Sequence, residues 1–310
     1  MMVPGNEHPH VATDITPTLG AVLQDVQQFC GEFKDRYGHG PEPGSPLAIE
    51  VEDRTESGPK GPWTPVDIAM PYELAGGVLI LSTEHYLSAL CQLLQPTMAL
   101  FGFQVIARAT VESAAQAWWL LEPGIPVRKR VARAYTARWN SVEERRKADE
   151  SAGLDANDHQ RRSLAFRVSA AELGLAERYE KDDKTKRVIG FERIVPRRIT
   201  SLVHAYLSWL GMSKGEYWYR CMSGVAHSTL FGLLEYLDFE PGPSPLLKAI
   251  PSLPAEAVAN AVALATDAYL GIVQLHAEHF GRAAADVLAK RKQVMGTVLS
   301  AVGAPVGGQG

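Results

Sequence analysis

The chain has 310 residues, 46% of them hydrophobic and 21% charged, with a formal net charge of −4 at pH 7. This is the composition of an ordinary globular protein with enough apolar residues for a sizeable core. The slightly acidic balance excludes a chain-wide attraction to nucleic acid or anionic membrane, so any such affinity has to come from local clusters.

Residues 1–15 and 38–75 are rich in Pro, Gly and polar residues, as in the run from Gly38 to Pro46 and again from Ser57 to Pro62. They read as loop or tail. Between them Leu19, Val22, Leu23, Val26, Phe29 and Phe33 recur at helical spacing and predict one amphipathic helix over 16–37. Residues 1–76 are thus expected to form an N-terminal lead with one helix and a Pro/Gly-rich linker. Met1 to His10 lacks the basic start and apolar run of a secretory signal.

From residue 77 the pattern is helical, with helices predicted at about 78–95, 97–122, 127–150, 157–180, 197–210, 214–238, 255–280 and 283–300. The expected fold class is all-α, a single multi-helix bundle over 77–302, followed by a Gly-rich tail at 303–310. Residues 255–275 are the most apolar stretch of the last third. Glu256, Asn260, Thr266 and Asp267 interrupt them, so they are a poor match for a membrane span. The expected location is the cytoplasm, with no membrane partner.

The predicted helix over 97–122 is apolar nearly all round except for Gln104, Arg108, Glu112 and Gln116, which steps of four place on successive turns of one face. An Arg and a Glu within reach on such a helix either hold the packing as an ion pair or form the polar wall of a site. Bases then concentrate over 128–198, where Arg128, Arg130, Arg133 and Arg138 are the candidate nucleic-acid contacts. The competing reading is a solvated helix face neutralised by Glu143, Glu144, Asp149 and Glu150.

The helix over 214–238 opens with Ser213 and Glu216 in capping-box spacing. Trp218, Met222, Val225, Thr229 and Tyr236 form an apolar stripe. Arg220, Gly224 and His227 lie on the opposite face, with Ser223 at its edge. Seven residues put Arg220 and His227 about 10 Å apart along the axis, with Gly224 leaving room for something to approach.

The segment from Arg220 to His227 resembles the motif of the HEPN superfamily, in which an Arg and a His with four to six residues between them lie on a helix of an all-helical bundle. The resemblance extends loosely to the helix carrying Arg108 and Glu112. It implies a metal-independent ribonuclease or RNA-binding relative of defence or toxin systems, acting as a homodimer without cofactor. His227 would be the general acid/base or would position the ribose 2'-hydroxyl, Arg220 would stabilise the phosphorane charge, and Ser223 would be an accessory group. Such chemistry suits an imidazole that titrates near neutrality and a planar guanidinium fork. Arg197 and Arg198 stand at similar spacing from His204.

The three cysteines, Cys30, Cys91 and Cys221, lack paired spacing and read as free thiols. The histidines carry no paired metal-binding motif, so no metal is expected. No Gly-rich phosphate loop and no Gly-x-Ser-x-Gly elbow is present. The alternative to the RNA reading is a noncatalytic helical interaction or regulatory protein that binds an unidentified protein partner.

Overall fold

The structure, a computed structural model, describes residues 10–11, 15–37, 40–94, 100–155, 157–180, 188–194, 197–234, 236–241 and 247–302. The tail at 303–310 and most of the expected lead at 1–15 lie outside them. The fold is all-α.

A two-residue strand, β1 (His10–Val11), precedes α1 (Thr16–Arg36). Helix α1 starts on a proline and buries Leu19, Val22, Leu23, Val26, Cys30 and Phe33, the stripe its periodicity predicts. Burial pushes the Cys30 thiol up to about 12, which makes it inert at neutral pH.

The segment 38–75 differs from its expectation as loop. It contains α2 (Pro46–Asp53), a hairpin of β2 (Ser57–Gly58) and β3 (Gly61–Pro62), and α3 (Pro65–Leu74). The physical reason is placement. Both prolines that open these helices stand in the first turn, where a missing N–H costs no helical bond. The Ser45 hydroxyl accepts from the Ala48 N–H at 3.3 Å. Thr64 and Asp67 complete a capping box, with the Thr64 N–H donating to Asp67 at 2.8 Å. Leu47, Trp63, Ile68 and Tyr72 are buried and tie the segment to the body.

Pro71 sits inside α3, and a π-helical stretch, Ala75–Ile80, follows it before α4 (Leu81–Leu93). A proline removes one i to i−4 bond, which fits a change of helical register here. Next come α5 (Leu100–Leu121), α6 (Val127–Ser151) and α7 (Asn157–Glu172). The helix expected to run to 180 ends instead near Gly174, whose φ of +69° suits only glycine. A short hairpin of β4 (Glu177–Tyr179) and β5 (Val188–Phe191) takes over.

The chain continues through α8 (Ile199–Trp209), α9 (Gly215–Ala226), α10 (Leu230–Leu234), a hairpin of β6 (Leu237–Pro241) and β7 (Leu247–Leu253), α11 (Ala255–Phe280) and α12 (Ala284–Ala301). β1 pairs parallel with β7 at His10 and Ser252. The main core lies between α5 and α11, with α1, α4, α8, α9 and α12 around them. A smaller core, built on Trp63, Tyr135, Trp139 and Phe191, joins α3 and α6 to β5.

Two helical stretches, Pro65–Leu93 and Ala255–Phe280, are long and apolar enough to cross a membrane by length and hydropathy alone. The second is almost wholly buried inside the bundle and serves as its central helix.

Candidate functional site

Helix α9 positions the motif residues. Its inner face buries Tyr219, Met222 and Val225. The Tyr219 hydroxyl donates to Glu112 Oε1 at 2.8 Å, and the Arg108 Nε donates to the same oxygen at 2.7 Å. Burial, reinforced by the Glu112 hydrogen bond, pushes the Tyr219 hydroxyl up to about 12, so it stays a donor. The expected Arg108 and Glu112 pair is therefore real. Its part-buried position and its link to α9 make it a packing joint between α5 and α9 rather than the wall of an open site. Gln104, a turn earlier, is fully buried with its Nε2 unpartnered.

The outer face of α9 carries the other motif residues. Arg220 and His227 are exposed and Ser223 is partly exposed. Glu216, Arg220, Ser223 and His227 follow one another at steps of four, three and four, which places them in one row along the helix. These side chains point away from the seam between α5 and α9, where Glu112 meets Tyr219. The expected capping box does not form either: Lys214 is the N-cap, without a side-chain cap bond, and Glu216 turns elsewhere.

Glu216 joins two helices. Its Oε1 accepts from the Arg220 Nε at 3.0 Å and Nη2 at 2.8 Å. Its Oε2 lies 2.7 Å from Nδ1 of His204 on α8. The Arg220 guanidinium, followed by the charge of His204, holds the Glu216 carboxyl below the usual carboxylate range. The histidine that the structure brings to Arg220 is thus His204, through a shared carboxylate.

Helix α9 stops at His227, its C-cap residue, so the expected helix over 214–238 is broken. Ser228 takes a left-handed φ of 52°, and the Thr229 N–H donates back to the Gly224 carbonyl at 2.9 Å. The chain then folds α10 onto α9. A Cβ at Gly232 would lie 2.2 Å from the Gly224 carbonyl carbon. The space beside Gly224 is filled by α10 and is not open to a ligand. Next to this contact Leu230, Phe231 and Leu234 are exposed by 75%, 53% and 49%, and Tyr217 on α9 is also exposed.

The basic run needs a correction. Arg130 and Arg133 are only 3% and 2% exposed. Arg130 Nη1 donates to both Glu50 oxygens at 2.8 Å and its guanidinium lies over the Tyr72 ring. Arg133 pairs with Glu122 at 2.5 Å and lies over Trp119. Arg128 pairs with Glu192 at 2.8 Å and packs on Trp63. Arg130 ties α2 and α3 to α6, Arg128 ties the β4 and β5 hairpin to it, and Arg133 ties the end of α5 to it, so all three are engaged within the protein. Arg138 is exposed over the Phe166 ring. Arg145, Arg146, Lys147, Arg162 and Arg167 pair with Asp149, Glu143 and Glu150, Glu144, Asp158 and Glu177. Arg197 and Arg198, just before α8, are exposed.

Among the described residues no three His, Cys, Asp or Glu side chains converge as a metal site requires. Sequence reasoning missed Tyr219 and the joint role of His204 and Glu216. Their spacing in sequence carries no signal, because α8 and α9 meet only in three dimensions.

Comparison of the chain with protein-family models, curated proteins and solved structures finds no match to any of them.

Proposed function

We propose that this chain acts on single-stranded RNA at the outer face of α8 and α9, as a metal-independent ribonuclease of HEPN-like type working as a homodimer. The observation that supports the reading is the exposed row of Arg220, Ser223 and His227, turned away from the core, with Tyr217 exposed on the same helix and Phe231 exposed on α10. A guanidinium among exposed aromatic rings suits a flexible single strand, whose phosphate it neutralises and whose bases stack on the rings. Arg197 and Arg198 add cations at the start of α8. The chemistry assigned to the face is attack of a ribose 2'-hydroxyl on the adjacent phosphate, with Arg220 stabilising the charge that builds on the nonbridging oxygens.

The test is cleavage of end-labelled single-stranded RNA in EDTA by the wild type, Arg220→Ala and His227→Ala, with melts to show that each is folded. Cleavage by the wild type, lost in folded Arg220→Ala, is the expected result. Sedimentation of the wild type as a dimer is expected alongside it. RNA left intact by the wild type overturns the reading.

A noncatalytic interaction protein is the second reading. The exposed Leu230, Phe231 and Leu234 on α10 favour it, since adjacent apolar side chains of this size in water commonly mark a contact surface. It predicts untouched RNA and an α9 row whose loss alters only partner binding.

A further inference from the structure

The motif points to His227 as the proton-transfer group, yet His227 stands about 10 Å along the axis from Arg220 and caps the end of α9. From the shared carboxylate we infer that His204, and not His227, is the catalytic histidine of the α8 and α9 face, with Glu216 as its positioning residue. This rests on the RNA-cleaving reading.

The geometry carries the assignment. A single carboxylate, Glu216, binds the His204 Nδ1 through one oxygen and the Arg220 Nε and Nη2 through the other. An imidazole and a guanidinium anchored on the two oxygens of one carboxylate stand close enough to face one phosphate-sized group. Nδ1–H donates to Glu216, which leaves Nε2 of the neutral ring with its lone pair free. All three side chains are open to solvent, as a polymeric substrate lying on a surface requires. A carboxylate that fixes the tautomer and orientation of an imidazole is a recurrent arrangement for a general base.

The step balances without a cofactor. The ribose 2'-oxygen forms a bond to phosphorus and its proton passes to His204 Nε2. The bond from phosphorus to the 5'-oxygen breaks, and the leaving alkoxide takes a proton from water. The products are a 2',3'-cyclic phosphate and a 5'-hydroxyl. The imidazolium returns its proton to solvent.

The experiment is single-turnover cleavage of single-stranded RNA in EDTA across pH 5 to 9 by the wild type, His204→Gln, His227→Gln and Glu216→Gln. The same RNA with one 2'-deoxy residue at the cut site serves as the blocked substrate. His204→Gln is expected to lose at least about 100-fold in rate with its melting midpoint unchanged. His227→Gln is expected to lose markedly less of the rate than His204→Gln. Glu216→Gln is expected to lower the cleavage rate at saturating RNA while leaving the RNA concentration for half-maximal rate unchanged, whereas a merely structural contact would leave the rate in place. Full activity in His204→Gln with loss in His227→Gln overturns the inference and leaves the RNA reading standing. An unchanged cleavage rate in Glu216→Gln overturns the positioning role. Uncut RNA with the wild type overturns both.

Discussion

In the bundle interior Asp267 of α11 and Arg291 of α12 meet through two bonds, Nε to Oδ1 at 2.9 Å and Nη2 to Oδ2 at 3.0 Å, with both side chains nearly shielded from water. On the outer face of α9 Glu216 and Arg220 make the same two-bonded contact to one oxygen, in open solvent. The chemistry of the two pairs is alike and their consequences differ. Water screens the exposed pair and leaves it little to do for stability, so its groups are free to serve a ligand. The buried pair has given up its hydration and tolerates no missing partner.

Asp267→Ala breaks the interior pair and leaves the Arg291 guanidinium without its counter-charge, its Nη1 still donating to Gln274 Oε1 at 3.0 Å. The expected loss is about 3 to 5 kcal/mol in urea unfolding. A loss below about 1 kcal/mol would show that the Arg291 site is wetter than its burial indicates.

Acidification sharpens the same contrast by a smaller amount. The His276 ring stacks on Phe280, and burial holds it down to about 3, against 6.5 for an ordinary histidine. The unfolded chain therefore binds a proton that the folded chain refuses. The stability from this neutral ring is complete above pH 6.5 and is lost as pH falls from there towards 3. Between pH 7 and pH 5 the loss is about 2 kcal/mol. Urea unfolding at both pH values should show it in the wild type and much less of it in His276→Asn.

The smallest effect is expected on the surface. Arg220→Ala should leave the thermal midpoint where it is, because the pair lies at the surface, where water screens it, and Glu216 keeps its contact with His204. A marked drop would place Arg220 with the interior pairs and argue for a structural role.

Much of the fold was legible in sequence. The apolar stripe from Leu19 to Phe33 specifies α1, and the nearly all-round apolar run over 97–122 marks α5 as a core helix, whereas the central place of α11 was not read from sequence. The lead was harder to read. Pro46 and Pro65 look like breakers until their first-turn positions and the caps at Ser45 and Thr64 are known. The candidate site was legible only in part. The steps along α9 put Arg220, Ser223 and His227 on one face, and the structure keeps them there. The basic run misled, since a charge count cannot tell an exposed Arg138 from an Arg133 lying over Trp119.

The sequence by itself determined which residues share a helix face, because helical periodicity is a property of the backbone and needs no partner. Only the tertiary structure decided what each face meets. It set Tyr219 on Glu112, His204 on Glu216, and Gly232 against Gly224. Each of these contacts joins two elements whose approach depends on the packing of the whole core, and no local rule specifies it.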